Sequence, residues 1–190
     1  FRSPIPADHS QNLTGIWPKK VVNYKTVMSD AASGFTSVTY PFPVIRMADL
    51  YLMYAEALNE KGEDYATVLP WIDMVRERSG LQGVKESWDQ YVGNSKYATQ
   101  TGLRQIIMQE RRIELAFEGH YFWDVRRWKT ATTELTQPLT GWKVRYGETD
   151  VDYYSENLVL VRDFTPKMYF WPIDIGELRK DPNLVQNYGW

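Results

Sequence analysis

Three glutamates recur at four-residue spacing in the segment Glu110–Trp128, which is also rich in arginine and aromatic residues. We call Glu110, Glu114 and Glu118 the glutamate stripe, because this spacing places them along one face of a predicted helix, where like charges repel. Glycosidases use paired carboxylates as acid, base or nucleophile, so hydrolysis by Glu110 and Glu114 is one hypothesis. The competing hypothesis is that arginines neutralise the carboxylates and the stripe is structural.

Two features of the sequence favour the structural hypothesis. Carboxylates on one stripe point in parallel and do not flank a substrate, and their face continues an apolar row of predicted helix residues, Leu103, Ile106 and Ile107. A buried charge without a partner is costly, so partly buried glutamates need cationic neighbours. We predict no catalytic residue and a set of structural ion pairs formed by Arg46, Arg76, Glu110, Glu114, Glu118 and Arg126.

Metal ligands are scarce in this sequence. It has no cysteine, and its histidines are His9 and His120. A di-metal carboxylate bundle needs Glu-x-x-His spacing, but Glu118 lies only two positions before His120. Asp150 and Asp152 alternate as calcium ligands do, but the remainder of a calcium-binding loop is missing. The sequence therefore predicts no metal site and no cofactor.

The motifs of the common enzyme classes are also missing, since the chain has no nucleophile elbow, no phosphate-binding glycine loop and no HExxH pair. What it has is an excess of aromatic residues in predicted loops. Exposed aromatic rings pack against apolar faces of ligands and keep a polar edge in water. From these rings we select Trp17, Trp88 and Trp142 as predicted ligand-binding residues.

Composition bounds the class of protein. The 190 residues are 43% hydrophobic and 15% aromatic, which is enough for a sizeable core. A net charge of -2 offers no basic face to a polyanion, so nucleic acid is disfavoured as a partner. No apolar run approaches the ~20 residues that span a bilayer. Because the chain begins at Phe1, we expect a processed product, a cloned domain or a fragment, with any signal or anchor upstream.

Residues 44–81 are predicted to form a helical hairpin. Apolar residues at helical spacing run up to Gly62, which is a stop signal for the first helix. The second helix is predicted at about 65–79, or from a start near Pro70, because proline favours the first helical turn. Only a few residues connect the two helices, so we expect them to be antiparallel.

Residues 102–130 are predicted to form a second hairpin, with a break at Gly119. The predicted fold class is therefore all-α, with tetratricopeptide-like helical hairpins and long ordered loops. Residues 1–43 are predicted to form an ordered loop layer, and residues 82–101 an insertion between the hairpins. Residues 131–190 are predicted to form loops and a C-terminal tail. Stacked hairpins need roughly three or more repeats, so we expect further elements to complete the stack.

Three segments of the chain resemble the C-terminal part of the SusD/RagB family of outer-membrane nutrient-binding lipoproteins. The first is Pro43–Glu60 together with the helix that contains Val75–Leu81, and the second is Glu110–Trp128. The third is Trp171-Pro172-Ile173 with the closing segment Gln186–Trp190. Their order and spacing make the match specific.

The resemblance implies a SusD-like, all-helical fold and a non-catalytic subunit that delivers oligosaccharides to a SusC-like TonB-dependent transporter. In RagB-like members the ligand is a peptide, which is the alternative function. The resemblance also implies a cell-surface lipoprotein of the outer membrane, with the lipid anchor and the N-terminal part of the fold outside this chain. The family builds its ligand platform mainly from loops beyond the three segments, so the resemblance transfers no ligand contact.

Overall fold

The computed structural model describes residue 14 and residues 18–20, 22–28, 35–143 and 149–190. Helix is the main regular structure of these residues, which confirms the predicted all-α class. The α-helices are α1 (Met47–Lys61), α2 (Tyr65–Arg78), α3 (Val84–Ser87), α4 (Gln100–Glu114), α5 (His120–Arg127), α6 (Ala131–Glu134), α7 (Asp150–Tyr153) and α8 (Ile175–Lys180). The strands β1 (Val27–Met28) and β2 (Phe35–Thr36) pair antiparallel, as do β3 (Leu139–Trp142) and β4 (Glu156–Leu160).

The chain divides into two compact units. We call Lys19–Tyr121 the helical unit, and Phe1–Pro18 together with Phe122–Trp190 the C-terminal unit. Across the described residues of both units, no helix has the length and the apolar character needed to cross a membrane.

Helix α1 ends at Gly62, as the sequence predicts. This glycine has a left-handed φ of 88°, and its N–H donates to the last carbonyls of the helix, which caps the C-terminus. The buried face of α1 carries Ala48, Leu52 and Ala55 and packs on α2 and α4. Apolar residues on the other side of the helix, such as Met47, are exposed, so α1 is apolar on two faces and only one is covered.

Helix α2 begins at Tyr65 and continues through Pro70, so the alternative start near Pro70 is wrong. The Asp64 side chain accepts a hydrogen bond from the Thr67 N–H at 2.8 Å and caps the helix six residues before that proline. Proline removes one hydrogen bond from a helix interior. Burial of the predicted inner face, which includes Ile72, offsets that loss, because tertiary packing supplies most helical stability in proteins.

The core of the helical unit joins α1, α2 and α4 with the segment that follows α2. Its buried members are mostly aliphatic: Ala48, Leu52, Ala55, Val68, Leu69, Ile72, Val75, Val84, Tyr97, Leu103, Ile106 and Ile107. Helix α4 ends at Glu114, three residues before the predicted end at Phe117. Phe117 has a positive φ of 65°, so the chain has already left the helix there, and Glu118 lies on a turn.

In the C-terminal unit, the two halves of the third matching segment fold onto each other. Gln186 Nε2 donates to the Ile173 carbonyl at 2.9 Å, and the Ile173 N–H donates to Gln186 Oε1 at 2.8 Å. Asn187 Nδ2 donates to the Trp171 carbonyl at 2.7 Å. These amide side chains satisfy backbone groups of an irregular segment and connect its two ends.

Candidate functional site

An open cleft of about 410 Å³ lies in the helical unit beside Trp88. The segment after α3 contributes Trp88 and Lys96 to it, and α4 contributes the remaining wall: Gln105, Ile106, Met108, Gln109, Glu110 and Arg112. The α4 residues recur at helical spacing, so they share one face of the helix. The cleft thus combines an aromatic ring, amide side chains and charged groups, which is the usual make-up of a site for a polar ligand.

The insertion 82–101 contains regular structure that positions Trp88. A π-helix spans Trp88–Val92 directly after α3, and a 3-10 helix spans Lys96–Ala98. Gly93 closes the π-helix with a φ of 70°, and its N–H donates to the Trp88 carbonyl at 2.9 Å. Short π-helical turns are rare and are often found at functional sites.

Two side chains of α2 hold the start of this insertion. Asp73 Oδ1 accepts the Val84 N–H at 2.7 Å, and burial raises the pKa of Asp73 although this hydrogen bond acts in the opposite direction. Arg76 Nε donates to the Gln82 carbonyl at 2.8 Å, and Arg76 Nη2 donates to Ser87 Oγ at 3.0 Å. These bonds connect α2 to the residue immediately before Trp88, so α2 sets where the ring lies.

The Trp88 ring is partly buried and packs against the core of the unit. Lys96 Nζ lies 5.5 Å from its ring centroid, within the range of a cation–π contact. Nearby, Tyr97 is buried and its hydroxyl donates to Asp89 Oδ1 at 2.8 Å, while Lys85 Nζ donates to Asp89 Oδ2 at 2.6 Å. Hydrogen bonds from Lys85 and Tyr97 lower the pKa of Asp89. The ionised Asp89 carboxylate therefore connects Lys85 with Tyr97 beside Trp88.

Glu110 lines the cleft and also bonds to Arg76. Its Oε1 accepts a hydrogen bond from Arg76 Nη1, so one arginine holds both the insertion and the first member of the glutamate stripe. The Glu110 side chain is 14% exposed and that of Arg76 is 15% exposed. Arg76 therefore pairs with a carboxylate that is mostly shielded from water.

The other two members of the stripe share Arg46. Arg46 Nη1 donates to Glu114 Oε1 at 2.8 Å, and Arg46 Nε and Nη2 donate to the two Glu118 oxygens at 2.8 and 2.7 Å. Arg78 Nη2 also donates to Glu114 at 2.8 Å, and Lys20 Nζ lies 2.5 Å from Glu118 Oε1. Each glutamate of the stripe therefore has at least one cationic partner.

These contacts shift the ionisation of the groups. Burial raises the pKa of Glu118, but hydrogen bonds from Arg46 and Lys20 outweigh it, and the pKa lies below its ordinary value. The hydrogen bond to Glu118 raises the pKa of Arg46, against the opposing effect of burial. Both groups stay charged, so the pair is a fixed electrostatic link between the start of α1 and the turn after α4.

Arg126 differs from its predicted role in an ion pair. Its Nη1 donates to the Met168 carbonyl at 2.6 Å, and its guanidinium lies 4.3 Å from the Phe122 ring centroid and 5.3 Å from that of Trp171. Its Nε is buried without a hydrogen-bond partner among the described residues. Carbonyl oxygens and ring faces take the place of a carboxylate, because the planar guanidinium stacks on aromatic rings as well as pairing with acids.

Of the predicted ligand-binding tryptophans, the structure describes Trp88 in the helical unit and Trp142 in the C-terminal unit. Trp17 lies outside the described residues. Trp142 is in β3 of the C-terminal unit, where its ring meets Tyr154 edge-on at a centroid distance of 5.3 Å. Trp88 lines the cleft described above.

Sequence reasoning missed the partners of Trp88 in the cleft. Lys96 follows it in the insertion, and Gln105, Gln109 and Arg112 come from α4. Their spacing of four and then three residues was a readable signal, since it places them on one helix face. The sequence alone does not distinguish this face from an ordinary exposed one, because polar residues on a helix normally face solvent. Within the described part of the chain, no cluster of acidic or histidine side chains is arranged to hold a metal ion.

Comparisons with known proteins point to one family. The sequence profile described as the SusD family matches residues 2–190. A SusD-like protein of Formosa agariphila is 39% identical over 144 residues, which cover 76% of this chain and 23% of that protein. A second SusD-like protein of the same bacterium is 28% identical over 144 residues, again 76% of this chain but 24% of that protein.

Solved structures agree with these sequence matches. The crystal structure of a SusD-like protein from Bacteroides fragilis superposes with a TM-score of 0.64 at 30% identity. The match covers 81% of this chain and 28% of the other one. The chain therefore spans about a quarter of the length of the relatives it matches.

Proposed function

The chain belongs to the SusD family, as its three matching segments predict, and from that premise we propose that it is a non-catalytic glycan-binding subunit. The observation that carries this proposal is the cleft beside Trp88. A tryptophan face packs against the apolar C–H face of a sugar ring, and amides supply the hydrogen bonds that orient its hydroxyls. Gln105 and Gln109 are the amides placed to do this.

The cleft suits part of a chain of sugars more than a whole small molecule held on all sides. It is open, and one ring with a few polar groups gives modest affinity for a single sugar. Repeated contact with a polymer raises the effective affinity, because the second contact of a tethered ligand is intramolecular. A capture protein for polysaccharide gains from such weak, repeated contacts.

Catalysis by Glu110 and Glu114 is the less favoured reading. A general acid or base needs access to the substrate and a pKa matched to its task. Arg76 holds Glu110, while Arg46 and Arg78 hold Glu114, so both carboxylates are engaged by guanidinium groups. Under our proposal, Glu110→Gln lowers thermal stability and changes no turnover, because there is none.

The family assignment supports a proposal for where the subunit acts and for its partner. We propose that the protein acts at the cell surface, at the outer membrane, and passes bound oligosaccharide to a SusC-like TonB-dependent transporter. A RagB-like peptide ligand is the alternative. Peptide binding also uses aromatic rings and amides, so the ligand class is settled by measurement and not by the shape of the cleft.

A binding panel tests this proposal. The purified chain is titrated by calorimetry against neutral oligosaccharides and polysaccharides and, in parallel, against a pool of peptides. We expect binding to one class of glycan and no increase in reducing ends after long incubation. Binding to peptides alone would establish the alternative, and new reducing ends that disappear in Glu110→Gln would establish the glycosidase.

A further inference from the structure

A second pocket in the helical unit has walls made mainly of cations. Lys20, Arg46 and Arg78 line it together with one carboxylate, Glu118. Its volume is about 210 Å³, which is below the roughly 300 Å³ at which pockets begin to enclose drug-sized ligands. The pocket therefore has room for one small group and not for an oligosaccharide.

The charges of this pocket do not cancel. Three cations face one carboxylate in its lining, and Glu114 neutralises part of the remainder by accepting from Arg46 and Arg78. Counting both glutamates, the five groups still carry one positive charge in excess. The hydrogen bond from Arg46 to Glu118 is the largest of the effects that raise the pKa of Arg46, so this guanidinium keeps its charge.

Arg78 has hydrogen-bonding capacity left for an additional acceptor. In the part of the chain that the structure describes, it donates through Nη2 to the two oxygens of Glu114, each at 2.8 Å. Its Nη1 and Nε groups are further donors in the same plane. The side chain is 57% exposed, so an incoming group reaches it without unfolding any element. A planar guanidinium fork matches an oxyanion better than any other side chain does.

The remaining wall of the pocket is apolar and aromatic, and is formed by Tyr40, Phe42 and Pro43. Phe42 is 65% exposed. A bare inorganic anion would gain nothing from these rings. An oxyanion attached to a sugar ring would gain from both walls, since the sugar packs on the aromatic surface while its oxyanion meets the cations.

We propose that this pocket binds the oxyanion of an acidic sugar, a carboxylate or a sulfate ester, with Arg78 and Lys20 as its donors and Phe42 against the ring. The choice of a sugar as carrier rests on the proposed function, whereas the preference for an oxyanion rests on the charges of the pocket. The protein would then select charged glycans through this pocket, separately from ring stacking at Trp88.

Titration with single sugars tests the proposal. The chain is titrated with D-galacturonate, with galactose 6-sulfate and with D-galactose, and binding is followed by NMR shifts of the Arg78 and Phe42 resonances. We expect one or both acidic sugars to bind and neutral galactose not to bind, and the better ligand identifies the oxyanion. Affinity should fall as salt rises from about 0.05 to about 0.5 M, because exposed charges are screened.

A pair of arginine variants makes the assignment specific. Arg78→Gln should weaken acidic-sugar binding at least tenfold, whereas Arg104→Gln, which removes an exposed arginine paired with Glu60, should leave it unchanged. Equal binding of galactose and galacturonate, an equal loss in both variants, or no binding at all would overturn the proposal. The experiments distinguish the two proposals. Binding of neutral oligosaccharide without any binding of acidic sugar would support glycan binding beside Trp88 and overturn the oxyanion site.

Discussion

Arg46 donates hydrogen bonds to two members of the glutamate stripe. It supplies all three of its nitrogen atoms to Glu114 and Glu118, whose side chains are 13% and 11% exposed. It also precedes α1 in extended backbone, and its side chain does not cap the helix, because a guanidinium has no acceptor for the helix N–H groups. Its charge therefore ties together segments that are distant in the sequence.

Replacement of Arg46 by methionine should destabilise the protein strongly. Glu114 and Glu118 would lose their main partner while still partly buried, which costs about 2–3 kcal/mol of unfolding free energy. The matched control is Arg104→Met, because Arg104 and Glu60 form an exposed pair worth less than about 1 kcal/mol. Urea unfolding of both variants measures the difference, and equal losses would contradict a structural role for Arg46.

Glu118 gives the stability of the protein a defined dependence on pH. Its pKa is lower in the folded chain than its ordinary value of 4.5, so its contribution is complete above that pH. The contribution is lost as the pH falls through the lowered pKa.

Glu118→Gln should therefore be less stable than the wild type at about pH 7, and the gap should narrow as the pH falls below 4.5. Thermal unfolding across this range measures the gap. Glu63→Gln, which removes a partner of the exposed Lys61, serves as the control and should show little change. A gap for Glu118→Gln that stays constant with pH would show that the carboxylate is not held ionised by its neighbours.

The sequence shows that the glutamate stripe needs cationic partners, because the carboxylates continue an apolar helix face. Spacing and the need for counter-charge pointed to Arg46 and Arg76 as partners of the stripe, and the structure pairs both with glutamates. Arg126 was not predictable in this way, because carbonyl groups and aromatic rings surround it in place of a carboxylate. That the stripe is structural and not catalytic remains a prediction.

At the scale of elements, the start of α4 depends on the close packing of Gly102 against Lys96 and Thr99. The Gly102 N–H donates to Thr99 Oγ1 at 3.1 Å, which caps the helix. A β-carbon at Gly102 would collide with the Lys96 carbonyl oxygen and would lie 2.7 Å from Thr99 Oγ1. Lys96 begins the 3-10 helix beside Trp88, so the packing of Gly102 controls the geometry of the cleft.

Gly102→Ala should lower the unfolding free energy by about 2 kcal/mol, although alanine is the better helix former. It should also shift the indole N–H resonance of Trp88. Gly119→Ala is the comparison, because Gly119 has a φ of 83° but open space around it. That variant should cost about 1 kcal/mol of backbone strain and leave Trp88 unshifted. The reverse ranking in urea unfolding would contradict this account of the cleft.

The long helices were predictable because their signals are local. Gly62 stops α1, and apolar spacing identifies the inner face of α2. The regular structure inside the insertion was not predictable, because its backbone is held by side chains of another helix. Arg76 and Asp73 supply those bonds from α2. A pattern read along one segment contains no information about partners that lie elsewhere in the chain.

At the scale of the molecule, the division into a helical unit and a C-terminal unit separates two sets of aromatic residues. Trp88 belongs to the first unit, and the edge-on pair of Trp142 and Tyr154 belongs to the second. The whole chain carries a net charge of -2, which disfavours nucleic acid as a partner. The sequence predicted the family from three segments, whereas the cleft and the cationic pocket emerged only when distant residues were brought together.

The central claim is that the cleft beside Trp88 binds glycan, and calorimetric titration of variants with the best glycan from the panel tests it most directly. Trp88→Ala should weaken binding by roughly tenfold or more, which is about 1.4 kcal/mol. Gln109→Ala, an exposed change that spares the core, should weaken it by a smaller factor. Tyr91→Ala removes an exposed ring of the same π-helix outside the cleft and should have no effect. Wild-type affinity in a folded Trp88→Ala variant would contradict the claim.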